Sequence, residues 1–306
     1  MAKKKLSKNA KIAIGVACTL GVLLIGAVAG GAAYLHEYCK TKEYSCISIA
    51  DIDTKGKSVS LIAHRGFSAA APENTLPAYE LAGQNSFWGA ECDIYRTKDG
   101  VWVLMHDSST YRMMDKTAFV EDKTYDELMQ FTYDNGVNIK NYPNLKICTL
   151  DEYLAVCRRY STVPVIELKG KNNSEHYDEV VASVEKYAFS GDAVYISFHY
   201  KNLQEIRKLC DSTVLYLVQE IDDQSIADAL ALGGKCGIDF NGNKEENTKE
   251  MIEKCVSSGM IVGAWTIDTK QSAQKMIDCG VTMITTNCIV PVYSENIKMN
   301  LEAENQ

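Results

Sequence analysis

Short apolar runs rich in β-branched residues alternate with helical patterns along most of this chain, and this alternation restricts its possible folds more than any other feature. Gly or polar residues bound each run, which is typical of parallel strands buried on both faces. The predicted strands are Val59–Ala63, Ala90–Ile94, Val163–Leu168, Ala193–Phe198, Val214–Val218, Cys236–Phe240, Met260–Thr266 and Val281–Thr285. Eight strands alternating with helices over about 240 residues predict an α/β fold, a TIM-type (β/α)8 barrel. A doubly wound open sheet is the alternative, but no glycine-rich dinucleotide loop follows the first strand.

Helical patterns separate these strands, with one interruption. The predicted helices are Thr75–Gln84, Leu150–Tyr160, Tyr177–Tyr187, Leu203–Cys210, Gln224–Ala231, Lys249–Ser258 and Ser272–Cys279. An extra strand is predicted at Val101–Met105, and residues 107–148 then form an excursion over one end of the barrel. Tyr111, Met113 and Met114 in this excursion could shape a substrate rim or simply pack the loop. The barrel domain is expected to span residues 58–295, followed by a polar tail, 296–306.

The N-terminal region predicts a transmembrane helix ahead of the barrel. Residues 12–35 carry no charge, and as a helix they would extend about 36 Å, more than the roughly 30 Å hydrocarbon core of a bilayer. Lys3, Lys4, Lys5, Lys8 and Lys11 precede this run. The positive-inside rule therefore predicts a cytoplasmic tail at 1–11, a single membrane span at 12–35, a linker at 36–57 and an extracellular barrel.

A cleavable signal peptide is the alternative interpretation of the same region. Ala27-Val28-Ala29 resembles a small-residue cleavage site, and cleavage would release a secreted protein. The apolar run is longer than the usual signal-peptide core of roughly 7–15 residues. Its length favours a retained anchor in the cell membrane.

Charge and cysteine content restrict the partners of the remaining chain. Residues 1–40 contain six Lys and one Glu, so the rest has 26 basic and 39 acidic side chains, a net charge of −13. This acidity argues against nucleic-acid binding, and an anionic substrate would need a local cationic site. Most of the cysteines lie in apolar runs and are expected to be buried small hydrophobes.

Carboxylates cluster at the predicted strand ends. Glu91 and Asp93 are two residues apart, so on a strand their side chains point to the same face. Glu167 ends the next barrel strand. Three converging carboxylates would repel one another without a cation, and oxygen ligands of this kind suit Mg²⁺ or Ca²⁺. We therefore expect these three residues to bind a divalent cation.

Two histidines accompany the carboxylates. His64 follows the first strand and His106 ends the extra strand, so the two imidazoles could share acid and base roles. Arg65 and Lys169 could bind a phosphate group, although Lys169 could also pair only with Glu167. Together these groups suggest metal-assisted cleavage of a phosphate ester. Trp265, at the end of the seventh strand, could stack on the substrate or fill the barrel.

These residues, taken in order, resemble the glycerophosphodiester phosphodiesterase family. The resemblance covers about Val59 to Pro291. The matching pieces are His64-Arg65-Gly66, Pro72-Glu73-Asn74-Thr75, Glu91-Cys92-Asp93, Thr97-Lys98-Asp99-Gly100, His106-Asp107, Thr149-Leu150-Asp151-Glu152, Glu167-Leu168-Lys169, Ser197-Phe198 and Ala264-Trp265-Thr266. Each triplet is weak alone, but their order and spacing are specific.

The resemblance implies a TIM-type barrel, a divalent cation and hydrolysis of glycerophosphodiesters to glycerol phosphate and an alcohol. It implies that His64 and His106 are the acid–base pair, and we assign His106 as the acid and His64 as the base. The metal ligands would be Glu91, Asp93 and Glu167, with Arg65 and Lys169 on the phosphate. The family's last strand often ends in Thr-Asp or Thr-Asn followed shortly by Pro, whereas here Thr286-Asn287 is followed by a displaced Pro291.

Two other functions fit the same residues. The barrel could cleave a lipid phosphodiester in the manner of a phospholipase, for which a membrane anchor would be suitable. It could also be a binding module that has lost its chemistry, but none of the expected histidines or acids is missing.

Overall fold

The computed structural model describes residues 37–170 and 173–291. The chain divides after Thr41, and the barrel lies in the unit that begins at Lys42. Of the first unit, residues 37–41 are described, and 37–39 form one helical turn. Among the described residues, no helix combines the length and apolarity needed to cross a membrane. The predicted membrane span 12–35 and the predicted tail 296–306 lie outside the described ranges.

Eight parallel strands close into a barrel within the described part of the chain. In chain order the described strands are β1 Ile47–Ser48, β2 Ser60–Ala63, β3 Gly89–Arg96, β4 Trp102–Leu104, β5 Val163–Leu168, β6 Val194–Ser197, β7 Thr213–Val218, β8 Cys236–Asn241, β9 Ile261–Trp265, β10 Met283–Thr286 and β11 Ile289–Val290. The barrel consists of β2, β3 and β5 to β10. Strand β2 pairs with both β3 and β10, and this pairing completes the ring. The predicted TIM-type barrel is confirmed.

The helices surround the barrel, and side chains cap the N-termini of five of those described. They are α1 Leu76–Gln84, α2 Tyr125–Leu128, α3 Leu150–Tyr160, α4 Tyr177–Lys186, α5 Tyr200–Leu209, α6 Asp223–Ala231, α7 Lys249–Ser257 and α8 Lys270–Asp278. Helix α3 begins with a capping box, in which Thr149 and Glu152 each bond the other's backbone N–H. The observed bounds of α3 and β5 are those predicted.

Three apolar clusters form the core of the described chain, and the largest lies between the barrel strands and the surrounding helices. The barrel interior is filled by branched side chains and one methionine: Ile62, Val165, Val194, Ile196, Leu215, Leu217 and Met283. A separate small core lies under the excursion, where Met113 and Met114 pack with Val103, Leu128 and Tyr133. The two methionines therefore pack the loop and do not line a rim, whereas Tyr111 is 43 % exposed.

Three short strands, β1, β4 and β11, lie outside the ring of parallel strands. Strand β4 pairs antiparallel with β3 and returns the chain to the edge where the barrel strands end. Strands β1 and β11 form a parallel pair, with Ile47 opposite Ile289. Because β11 follows β10 closely, this pair brings the start of the barrel unit to the same edge.

Candidate active site

Three buried carboxylates converge at the carboxyl ends of neighbouring strands. Glu91 and Asp93 share one face of β3, and Asp93 lies opposite Glu167 in the register of β3 with β5. Ligand oxygens from the three residues lie within 4.8 Å of one another, and all three residues are buried. The structure thus brings together the metal ligands expected from sequence.

The three carboxylates cannot all hold a negative charge comfortably at this spacing. Burial, together with the charge of Asp93, raises the pKa of Glu91 well above its usual range. Burial also raises the pKa of Glu167, to about 7. Burial opposes ionisation of Asp93 as well, yet Lys169, His106 and Arg65 hold its pKa well below the usual value. A divalent cation would allow all three to ionise together, and an all-oxygen donor set suits Mg²⁺ or Ca²⁺.

Two cationic side chains reach the carboxylates. The Lys169 ammonium lies 2.9 Å from Asp93 Oδ1 and 2.7 Å from Glu167 Oε1. The backbone N–H of Arg65 donates to Glu91 Oε2 at 2.7 Å, and its guanidinium donates to Glu73 Oε1 at 2.9 Å. The Nε of Arg65 is buried, lies 3.6 Å from Asp93 Oδ2 in an ion pair, and makes no hydrogen bond to any residue that the structure describes. Arg65 therefore retains a donor that an anionic ligand could use.

His64 is held by a neutral amide. Its Nδ1 lies 2.8 Å from Asn287 Oδ1, in the loop that follows β10. Burial and the nearby Arg65 lower the pKa of His64 to about 3, so this imidazole is uncharged at neutral pH. An uncharged imidazole that donates through Nδ1 keeps a lone pair on Nε2.

His106 is held by a carboxylate. Its Nδ1 lies 2.8 Å from Asp107 Oδ1, and Arg112 Nε donates to Asp107 Oδ2 at 2.7 Å. Although burial raises the pKa of Asp107, the hydrogen bond from His106 and the Arg112 guanidinium hold it below its usual range. His106 thus has an anionic partner, whereas the partner of His64 is neutral.

An alternating row of charges joins the histidine loops. Arg112 donates to both oxygens of Glu73, at 2.6 and 3.0 Å, while Glu73 also accepts from Arg65. Burial opposes ionisation of Glu73, but the two guanidinium groups lower its pKa to about 2. The row runs Arg65, Glu73, Arg112, Asp107 and His106. It fixes the excursion to the first strand end.

Trp265 packs the barrel, as one of its two predicted roles requires, and its stacking on a substrate stays a prediction. Its ring packs against the interior barrel cluster, and its Nε1 donates to the Asp239 carbonyl oxygen at 3.2 Å. It also meets Phe198, which follows β6, edge to face with ring centroids 5.5 Å apart. Phe198 is 38 % exposed, so this aromatic pair gives the strand-end edge an apolar surface.

Several residues around the site were not singled out from sequence. Asn74 was noted only as part of the motif Pro72-Glu73-Asn74-Thr75, but its side chain donates to Asp93 Oδ2 at 2.7 Å and accepts from the Asp93 N–H at 3.1 Å. Arg112 and Asn287 gave no signal beyond their neighbours in the chain. Asp239, on β8, is buried, and within the described ranges one of its oxygens lacks a hydrogen bond. Burial and the charge of Glu167 raise the pKa of Asp239 to about 8.

Comparison with known proteins places this site in a family. The profile of the glycerophosphoryl diester phosphodiesterase family matches residues 64–290. A glycerophosphodiester phosphodiesterase of Caldanaerobacter subterraneus subsp. tengcongensis is 27% identical over 235 residues, covering 74% of this chain and 93% of the relative. Glycerophosphodiester phosphodiesterase 1 of Bos taurus is 28% identical over 244 residues, 69% of this chain and 72% of the relative.

A solved structure resembles the fold. An Oleispira antarctica phosphodiesterase, in complex with the product sn-glycerol-3-phosphate, superposes with a TM-score of 0.69 and 25% sequence identity. The match covers 81% of this chain and 99% of that one. The chain described here therefore belongs to the glycerophosphoryl diester phosphodiesterase family and is a phosphoric diester hydrolase.

Proposed function

We propose that this chain hydrolyses glycerophosphodiesters to glycerol phosphate and an alcohol, using a divalent cation and two histidines. The observation that carries the proposal is the cluster of three buried carboxylates, within 4.8 Å of one another, at the strand ends that also bear His64 and His106. The Oleispira relative supports the substrate class because it binds sn-glycerol-3-phosphate, a product of such cleavage.

Glu91, Asp93 and Glu167 would hold the cation. Their donors are all oxygens, and burial raises the pKa of two of them, so a cation would relieve an existing electrostatic conflict. When bound, a divalent cation polarises a phosphoryl oxygen and offsets the charge that develops there. Every other part of the chemistry falls to side chains of this chain.

Arg65 and Lys169 would bind the phosphate. The buried Nε of Arg65 has no hydrogen-bond partner among the described residues, so a phosphate oxygen could accept from it. Lys169 already lies against Asp93 and Glu167, where its ammonium can offset negative charge next to the same cluster. These two residues supply the local positive charge that the acidic chain otherwise lacks.

His64 would act as the base and His106 as the acid. The Nε2 lone pair of His64 accepts a proton from the nucleophile, whose oxygen forms the new bond to phosphorus. His106, whose Nδ1 contacts Asp107, donates its Nε2 proton to the leaving oxygen as the old P–O bond breaks. The nucleophile is water or the neighbouring glycerol hydroxyl, and the hydroxyl would give a cyclic phosphate that water then opens.

A lipid phosphodiester is the second candidate substrate. The Trp265–Phe198 pair supports it, because a partly exposed aromatic surface at the strand-end edge can accept an acyl chain as well as a glycerol backbone. The apolar segment 12–35 would keep the enzyme at the outer face of the cell membrane, with its N-terminus in the cytoplasm. Secretion after signal cleavage remains the alternative location.

The test is a substrate panel with the full chain in detergent. Glycerophosphocholine, glycerophosphoethanolamine, glycerophosphoinositol and the matching lysolipids are incubated with enzyme, with and without chelator. Glycerol phosphate is measured from the glycerophosphodiesters, and acylglycerol phosphate from the lysolipids. We expect turnover that chelator abolishes and that Mg²⁺ or Ca²⁺ restores. Full turnover after exhaustive removal of metal contradicts the proposed cation site, and no turnover on any member contradicts the proposed substrate class.

A further inference from the structure

The amide that holds His64 is itself held by a carboxylate. Asn287 Nδ2 donates to Asp268 Oδ2 at 2.6 Å. On its other side, Asn287 Oδ1 accepts from Ser68 Oγ at 2.8 Å and lies 2.8 Å from His64 Nδ1. Asp268 follows β9 and Asn287 follows β10, so two adjacent strand ends build this arrangement.

The carboxylate decides which way the amide points. An ionised carboxylate only accepts hydrogen bonds, so the NH₂ of Asn287 has to face Asp268 and its oxygen has to face His64. Asp268 is fixed in turn, because its Oδ1 accepts from the Asn287 backbone N–H at 2.8 Å and from Thr286 Oγ1 at 3.1 Å. An amide oxygen facing Nδ1 requires the proton on Nδ1, which leaves Nε2 without one.

We propose that Asp268 and Asn287 are positioning residues that select the base-competent tautomer of His64. The inference rests on the two-histidine function proposed above. The neutral amide also keeps the charge of Asp268 one residue away from the imidazole, in contrast to Asp107, which contacts His106 directly. His64 thus has a neutral partner that suits an uncharged base, whereas His106 has a carboxylate in direct contact.

Several charged groups lie around His64 and influence its pKa, which the acidic limb of the pH profile would report. Arg65 follows it on the same strand end, Asp93 lies on β3, His106 follows β4, and Asp268 acts through Asn287. Replacing the neutral amide with a carboxylate would favour the imidazolium. A base with a raised pKa is protonated up to a higher pH, so the acidic limb of kcat/KM would move upward.

Three variants test the inference: D268N, N287D and the exchanged pair D268N/N287D. D268N frees the amide to turn, and kcat should fall about tenfold or more with little change in KM, as expected for a misplaced base. N287D should move the acidic limb up by about one pH unit or more, because a carboxylate then contacts the imidazole.

The exchanged pair distinguishes positioning from loss of fold. In it, the carboxylate introduced at position 287 can accept from His64 and Ser68. The amide introduced at position 268 can donate to that carboxylate while its oxygen accepts from the backbone and Thr286. The hydrogen bonds are restored with the charge moved one residue closer. We expect kcat at high pH to recover to within about tenfold of wild type, while the acidic limb stays displaced.

Asp222→Asn is the matched control. Asp222 caps α6 and touches none of the catalytic groups, and Asn caps helices about as well as Asp does. Its pH profile should be that of wild type. If D268N and the exchanged pair also keep the wild-type kcat and acidic limb, the positioning role is wrong. Absence of hydrolysis by the wild-type enzyme would instead contradict the proposed function.

A spectroscopic measurement on the wild-type enzyme tests the inference even if the variants are inactive or unstable. Imidazole ¹⁵N shifts of the wild-type enzyme, with the His64 signal assigned by its loss in His64→Gln, report which nitrogen carries the proton. We expect a proton on Nδ1 and none on Nε2 at neutral pH. A proton on Nε2 overturns the inference without any activity data.

Discussion

At the scale of single residues, the two histidines differ chiefly in what their Nδ1 atoms contact. We expect His64→Ala and His106→Ala each to lower kcat by roughly 10²–10⁴, the usual contribution of a placed acid or base. Because the two act on one reaction, the double variant should be little slower than either single one. Steady-state rates with purified enzyme, and circular dichroism to check the fold, measure this.

The leaving group separates the two roles. The nitrophenolate of a nitrophenyl ester substrate leaves without a proton. Such a substrate should therefore partly rescue His106→Ala and leave His64→Ala inactive. His176 serves as a matched control, since its ring is paired with surface glutamates and its loss should leave kcat unchanged. Losses of less than about threefold in both variants, far below the acid–base range, contradict the two-histidine mechanism.

The carboxylate cluster predicts proton release on cation binding. Without a cation, Glu91 and Glu167 retain protons to higher pH than in the unfolded chain, since burial raises the pKa of each, Glu167 to about 7. The contribution of Glu167 to stability is therefore present at low pH and is lost as pH rises through about 7, and that of Glu91 is likewise lost as pH rises through its raised pKa. A cation binds the deprotonated form, so Ca²⁺ or Mg²⁺ should raise Tm more at pH 8 than at pH 5.5.

Thermal unfolding with and without the cation measures this difference, and calorimetry in two buffers counts the protons released. Glu167→Gln removes one titrating ligand and should reduce both the Tm increase and its dependence on pH. Equal increases at the two pH values would show that the cluster does not titrate as described.

The sequence was sufficient to predict the cluster of three carboxylates, but not the residues that hold the site by hydrogen bonds. Glu91 and Asp93 could be paired from strand alternation alone, and Glu167 from its place at the next strand end. Asn74, Asp268 and Asn287 could not be identified, because asparagine and aspartate are ordinary in turns and only the folded chain brings them to a histidine or a ligand. Even the Asn74 motif had a plausible local explanation as a helix start.

At the scale of elements, the excursion is attached through Arg112. This side chain is mostly buried and pairs with Asp107 and Glu73. Arg112→Ala should lower the free energy of unfolding by about 3 kcal/mol, because Glu73 and Asp107 both lose a buried guanidinium partner and keep only Arg65 and His106. It should also lower kcat, because Asp107 loses the group that orients it against His106.

Denaturant unfolding and steady-state kinetics measure the two effects. Arg159→Ala is the matched control, since Arg159 makes an exposed pair with Glu80 and should change stability by less than about 0.5 kcal/mol. If the Arg112 and Arg159 variants behave alike, the row of charges does not hold the excursion.

The turn after β2 makes a second prediction. Gly66 has φ +77°, and a Cβ there would lie 2.7 Å from Ala78 Cβ on α1. Gly191 has φ +78° with nothing within 4 Å of an added Cβ. Both Ala variants should carry the cost of a left-handed backbone, about 1–2 kcal/mol, but Gly66→Ala should cost a further 1–3 kcal/mol or so from overpacking.

Urea unfolding of the two glycine variants measures the difference directly. The crowded variant should also lose activity, since the turn carries Arg65 and follows His64. Equal destabilisation would show that α1 can move away from the strand end.

The barrel elements were largely predictable because their periodicity is strong. Strand β5 and helix α3 were predicted with the observed bounds, since Gly, Pro or capping residues mark both ends of each. Strands β1 and β11 were not predicted, because a two-residue strand has too few positions to show alternation. Packing of the excursion was predicted only as one of two alternatives, since its methionines have no regular spacing.

At the scale of the whole molecule, the N-terminal segment predicts a topology. Protease added to intact cells that produce the full chain should digest the barrel and leave a short N-terminal fragment in the membrane. Immunoblots against tags at both ends measure this. A barrel that is protected until the cells are lysed contradicts the orientation, and a soluble form beginning near Gly30 would indicate signal cleavage.

The seam between β2 and β10 has a consequence for the order of folding. His64 follows the first strand of the ring and Asn287 follows the last, so their hydrogen bond joins residues 223 positions apart. Contacts of such long range form late, after the shorter loops have closed. A nascent chain that ends before residue 287 can already contain most of the barrel strands and still lack Asn287, the hydrogen-bond partner of His64. Recovery of activity during refolding thus reports the joining of the two ends of the ring, and not the formation of its helices and strands.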